Sequence, residues 1–314
     1  MLHLLQNNVQ CSQLMFKYLL LLLLCTSVQS AEPVKAVITV DHDVYNDVQR
    51  FLNGRDPLQI QHFDSADARR DVVDFILIQQ AIALGGVALD IRFVTGNYDS
   101  RNVRSIASGM LLISLDSFWL SELQKVAADI YISDPLIRRG EYFAGLYTAA
   151  TNKAALATQT VEQLRQLSVV SYSGWSADWR TLTQLQLPKL LEEKSWSSQA
   201  KLVSRGWVDV MLAPFLPGTQ FTFKGDGYEV IAIPGIKLML DDSRHVAVSK
   251  HHPAGEQVFA ALQRGLKQLR AEGRIKRAYT EAGFFNTHVV DWRLLNPLPT
   301  PIVETSTQTD APIR

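Results

Sequence analysis

The sequence predicts an α/β protein in two parts, and three observations carry that prediction. Between residues 34 and 120, β-branched stretches alternate with stretches whose apolar residues recur at helical spacing. The alternation restarts after residue 147 and runs to 240. Between the two parts, Asp129–Tyr147 reads as two extended segments split at Asp134-Pro135, where proline removes a backbone donor and biases its predecessor away from helix. That stretch is either a crossing between two domains or a strand, bend and strand within one sheet.

The first residues read as a leader. Lys17 supplies a basic start, Tyr18–Cys25 an apolar run, and Val28 and Ser30 the small residues expected before cleavage near Ser30 or Ala31. The run is far shorter than the roughly 18–20 residues that span a bilayer. Met15 is an alternative start of translation. Leu24 stands where a lipoprotein signal carries a small residue, so Cys25 is not read as a lipid anchor. Both cysteines, Cys11 and Cys25, fall in this segment, so the exported chain has no thiol or disulfide. Removing Lys17 takes 31 basic residues to 30 against 31 acidic ones. A near-neutral chain without a basic tract is not a nucleic-acid binder.

The elements follow in order. Val34–Val40 is a β-branched, alternating strand that ends at Asp41-His42-Asp43 and Tyr45. Residues 46–64 are polar and show no clear period. From Asp67 to Leu84, Val72, Phe75, Ile76, Ile82 and Ala83 mark a helix stopped by Gly85-Gly86. Leu89–Val94 is a strand, Arg101–Ile113 a helix and Ser117–Leu120 a short strand. This order predicts a mostly parallel sheet covered by helices. Ligands collect at the carboxyl ends of such strands, here Asp41–Tyr45, Asn97–Tyr98 and Trp119–Glu122.

The second part opens with a helix, Val161–Leu167, and a strand, Ser168–Ser173. Gly174-Trp175-Ser176-Ala177-Asp178 then leads into a helix with Ser176 as N-cap. Ser197–Arg205 is helical, Val208–Leu212 a strand ending at Ala213-Pro214-Phe215, and 216–227 a loop. Tyr228–Ile233 and Ile236–Leu240 are strands, and Val246–Lys250 is extended. Pro253 starts an amphipathic helix bearing Val258, Phe259, Leu262, Leu266 and Leu269, ended by Gly273. A shorter helix runs from Ile275 to Ala282. Asn296–Arg314 is rich in Pro, Thr and Ser, the composition of a disordered tail.

Three stretches carry a resemblance. I132-S-D-P-L-I-R-R-G, S168-V-V-S-Y-S-G-W-S-A-D-W and P253-A-G-E-Q-V-F-A-A-L-Q-R-G-L-K-Q-L-R-A-E-G-R-I resemble, in order and spacing, the type II periplasmic solute-binding proteins, in the family 3 branch of amino-acid receptors for ATP-driven importers. The resemblance implies two α/β lobes joined by two crossing strands, with a ligand cleft between them. Lobe 1 would be 32–145 plus 241–295, and lobe 2 would be 146–240. It further implies a monomer that hands a small solute to a membrane permease or sensor, without a cofactor. Amino-acid receptors of this family clamp the ligand carboxylate with an arginine after the third strand. Here W119-L-S-E-L-Q-K has Leu123 or Gln124 near that place, and Ala213-Pro214 stands where the family often has an aspartate for the amino group. Both departures argue against a free α-amino acid as ligand, unless Arg244 takes over the carboxylate.

Site candidates are weighed against structural roles. Tyr45 is an aromatic that could stack on ligand, or a surface tyrosine. Trp119 and Trp175, at strand ends, would sandwich an apolar or cyclic ligand, or pack the lobes. Ser121 and Ser176 are hydrogen-bonding groups or caps; Asp178 is a first-turn acid or a contact to a cationic or hydroxylated ligand. Phe215 closes the cleft floor or packs the core. Asp209 is read as a structural carboxylate and Arg138-Arg139 as solvated. Asp41-His42-Asp43 and His251-His252 lack the spacing of a metal site. The leading expectation is a non-catalytic binding protein. The alternatives are an exported enzyme on the same fold, resembling prephenate or arogenate dehydratases with Glu122 and Arg244 as acid and cation, and a degenerate protein-binding module.

Overall fold

The computed structural model describes residues 32–65, 67–96 and 101–296. The expected leader, the Asn97–Tyr98 strand end and the tail beyond Asn296 lie outside the described residues. Asn296 itself, expected in the tail, is buried and exchanges hydrogen bonds with the Met239 backbone in both directions, at 2.9 and 2.8 Å.

β1 (Val34–Asp41) pairs in parallel with β2 (Leu89–Gly96), Val34 opposite Leu89 and Asp41 opposite Gly96. The region after β1, which showed no clear period, begins with a helix, α1 (His42–Leu52). Its exposed polar positions masked the buried triad Val48, Phe51 and Leu52, which share one helical face. α2 (Arg70–Leu84) is enclosed from Val72 to Ile82, Asp74, Gln79 and Gln80 included. α3 (Arg101–Ala107) ends well short of Ile113, because Gly109 turns the chain at φ +80° and Ile113 bridges Val248 in extended form.

Next come β3 (Phe118–Trp119), α4 (Leu120–Leu123) and β4 (Ile130–Ile132). The second part comprises β5 (Phe143–Thr148), α5 (Lys153–Leu156), α6 (Val161–Leu164), β6 (Val169–Ser171), α7 (Ser176–Gln184), β7 (Leu190–Glu192), α8 (Trp196–Ser204) and β8 (Val210–Pro214). β9 (Thr222–Gly225), inside the expected loop, forms an antiparallel pair with β10 (Tyr228–Ala232), and β11 (Ile236–Met239) follows. β12 (Arg244–His245), β13 (Ala247–Ser249), α9 (Gly255–Ala271), α10 (Arg274–Glu281) and β14 (Arg293–Leu294) complete the described chain.

These strands fall into two groups. An eight-stranded sheet has the order β14-β11-β5-β8-β6-β7, with β10 and β9 added beside β5. The other group consists of the β1–β2 pair and two antiparallel pairs, β3–β12 and β4–β13. The chain passes between the groups twice, through residues 133–142 and 240–243. The two passages are hydrogen-bonded to each other: Leu240 N–H donates to Tyr142 O at 3.0 Å, and Leu136 N–H to Arg244 O at 2.8 Å. Asp129–Tyr147 is therefore a crossing rather than a bend within one sheet. Among the described residues, no helix is long and apolar enough to cross a membrane.

Candidate functional site

A cluster of charged groups gathers where the two strand groups meet. Arg70 opens α2, and its guanidinium reaches Asp74 at 2.6 Å and Asp116 at 3.0 Å and pairs with Asp71. Asp74 lies one helical turn on, inside the run V72-V-D-F-I, and is fully buried. Its carboxylate accepts from the Ser117 N–H at 3.2 Å, from the Ser117 hydroxyl and from the Tyr279 hydroxyl. Every charged oxygen is thereby matched, as a buried carboxylate requires.

Arg244 arrives from the return crossing. Its Nε donates to Ser117 Oγ at 2.9 Å, its other arm to Ser117 O, and Asp116 lies 3.7 Å away. The guanidinium sits 4.7 Å from the Trp119 ring centroid, in cation–π geometry, because β3 and β12 place Arg244 directly opposite Trp119. Trp119 tilts against Tyr142 at 5.2 Å, and Tyr142 meets Phe284 edge-on at 4.5 Å.

Asp116 faces this pair of arginines yet keeps 44% of its side-chain exposure. This carboxylate is thus reachable from solvent where the two strand groups face each other, a place we call the crevice. Burial pushes its carboxyl up to about 6 against the pull of Arg70 and Arg244, with Asp71 and Asp74 adding to the push. Asp71 feels the same burial, but Arg70, Arg69 and Arg244 outweigh it and bring its carboxyl below the usual value. Burial, and the negative charge of Asp178 in particular, hold the Tyr142 phenol far above its ordinary range.

The opposite wall is the start of α7, at the carboxyl end of β6. Ser176 is not the N-cap; Trp175 holds that position, and no side chain caps the helix. The Ser176 hydroxyl is drawn instead to Glu122 Oε1 of α4, at 2.6 Å, across the crevice. Asp178 lies in the first turn, with burial raising its carboxyl to about 6, Glu122 adding to the rise and Arg244 and Arg70 opposing it. Arg180, one turn on, donates to Ser121 Oγ at 3.2 Å and to Asp242 Oδ2 at 3.0 Å.

The expected site residues divide accordingly. Trp119, Ser121, Ser176, Asp178 and Arg244 gather at the crevice. Trp175 is half-buried at the same helix start, edge-on to Tyr172 at 5.8 Å, and no ring contact between Trp175 and Trp119 exists among the described residues. Tyr45 sits on α1, 5.7 Å from Phe93 and packed on the core. Phe215 packs with Phe221 and Trp292 at 5.1 and 5.4 Å, in the core of the eight-stranded sheet. Arg244 Nε and one of its two terminal nitrogens are taken up by Ser117 and Asp116. Arg139, read as solvated, is exposed and pairs there with Asp241. Asp209 is bound by Ser168 N–H and hydroxyl at 2.8 and 2.7 Å and by Asn152 at 2.9 Å, a structural carboxylate. The sequence reading missed Arg70, Asp74, Asp116 and Tyr142. The signal for Asp74 was there: an acid at i+4 from an arginine, inside an otherwise apolar run.

Two strand groups, two hydrogen-bonded crossings and a charged crevice between them make the two-lobed type II periplasmic binding fold. The described chain shares it with the probable amino-acid ABC transporter extracellular-binding protein of Bacillus subtilis, at a TM-score of 0.54 and 11% identity over 80% of this chain and 98% of that one. A Streptococcus pneumoniae amino-acid ABC transporter substrate-binding protein bound to L-arginine aligns at 0.48 and 16% identity, covering 80% and 95%. An ancestral amino-acid-binding protein, a precursor of cyclohexadienyl dehydratase, aligns at 0.49 and 15%, covering 79% and 95%. No protein-family model matches this sequence, and no curated protein sequence does.

Proposed function

We propose that this chain is a non-catalytic, exported binding protein that captures a small solute between two lobes and delivers it to a membrane importer or sensor. The lobes are 32–145 with 241–295, and 146–240. The observation that carries the reading is the crevice itself. Asp178 and Ser176 from α7 face Asp116, Glu122, Arg70 and Arg244 from the other side, so a bound solute would touch both lobes and favour their closure. The chain acts as a monomer in this reading, and a free α-amino acid is not its standard ligand, because Arg70, Arg180 and Arg244 each already make hydrogen bonds or ion pairs within the chain.

A thermal-shift panel of amines, amino acids, sugars and small carboxylates tests the reading. A solute at a hundred times its Kd adds about 2.7 kcal/mol of stability. At least one solute should raise Tm and be recovered unchanged, and Asp178→Asn should weaken that response. Silence across the panel would count against a solute receptor. Two carboxyls at about 6 in one crevice also suit a general acid. Consumption of the stabilising solute would establish an enzyme on this fold instead.

A further inference from the structure

Resting on the solute-binding reading, the contacts at the crevice specify the charge of the solute. The first turn of a helix attracts anions through its free N–H groups and its dipole. At the start of the nine-residue α7 a carboxylate of the chain already stands: Glu122 accepts from the Ser176 hydroxyl, beside the first-turn Asp178. A solute carboxylate approaching the same wall would meet Glu122 and Asp178 as like charges.

The positive groups are equally committed. Arg70 is shared among Asp71, Asp74 and Asp116, Arg244 between Ser117 and Asp116 with Trp119 against its face, and Arg180 between Ser121 and Asp242. The acids exceed what these arginines neutralise. Arg69 pairs with Asp71 and Arg180 with Asp242, while Asp178 has no ion-pair partner among the described residues.

We propose that the solute is a small organic cation without a carboxylate, an amine or a guanidine. Asp178 and Asp116 hold its charged group, and Glu122 is the specificity residue that turns acidic solutes away. The raised carboxyl of Asp178 agrees with this, since burial lifts it, Glu122 adds to the rise and the pull of Arg244 and Arg70 does not cancel it. Trp175, half-buried three residues before Asp178, offers an apolar wall for the stem of such a solute.

Titration calorimetry with amine and amino-acid pairs that differ only by the carboxylate tests the proposal. The pairs are agmatine against L-arginine, putrescine against L-ornithine and cadaverine against L-lysine. In at least one pair the amine should bind at least about tenfold more tightly than its amino acid, roughly 1.4 kcal/mol. Glu122→Gln, which keeps a hydrogen-bond acceptor for Ser176, should narrow that ratio, chiefly by improving the amino acid. Asp178→Asn should weaken the amine by about tenfold or more. Amino acids that bind as well as their amines would overturn the proposal. A sugar or small acid that binds while every amine is silent would overturn the cation class and leave the receptor reading standing. Silence from every solute would remove both.

Discussion

Asp74 shows how one side chain ties the site to the core. Its carboxylate collects Arg70, both donors of Ser117 and the Tyr279 hydroxyl, so α2, the segment before β3 and α10 meet at one buried charge. Removing one partner of a buried pair leaves the other charge uncompensated, at about 3–5 kcal/mol. Asp74→Ala should therefore lower stability by roughly that amount, read as a shift of the urea midpoint. Asp116 belongs to the same network but keeps an open side. Asp116→Ala should cost far less stability and should act on solute binding instead. Equal losses in the two variants would contradict the division between a buried strut and an exposed contact.

At the scale of elements, the packing of α2 against α9 depends on small residues. A Cβ built on Gly265 would fall 1.8 Å from Ala81 O, and one on Gly85 would fall 2.0 Å from Ala261 O. Those distances leave no room for a methyl group, so the two backbones touch directly. Gly265→Ala must push the helices apart, and overpacking of this kind costs about 1–3 kcal/mol despite the better helix propensity of alanine. Differential scanning calorimetry should show a lower Tm. α2 carries Arg70 at its start, so the same displacement should weaken solute binding as well.

For the whole molecule, the crevice carboxyls leave a signature in pH-dependent stability. A carboxyl whose folded value is raised from 3.8 to about 6 keeps its proton in the folded state where the unfolded chain has lost it. Stability from these groups therefore falls as pH rises from about 4 to 6 and is level above that. Asp178 faces Arg244, Arg70, Glu122 and Tyr142, and the first two oppose the effect without cancelling it. Asp178→Asn removes the ionisation. Its stability relative to the parent protein should improve steadily between pH 4 and 6, as followed by urea melts at fixed pH. A constant difference across that window would place Asp178 in ordinary solvent.

The alternation of strands and helices, the long helix from residue 255 to 271 and the break at Asp134-Pro135 could be read from the sequence, because period and proline act over a few neighbouring residues; that the break is a crossing was not legible in that window. α1 was hidden, since its buried face is only three residues among polar ones. The cap at Ser176 was misread for a related reason: whether that hydroxyl turns to its own helix or to Glu122 depends on a residue 54 positions away. Trp119, Ser176, Asp178 and Arg244 were legible as polar or aromatic residues at strand and helix ends. Their partners were not, because no local pattern brings Arg70, Asp116 and Tyr142 together. By itself the sequence determined the α/β order and the break between its two parts. Only the tertiary structure decided which charges neutralise one another, since that balance depends on distances between segments far apart in the chain.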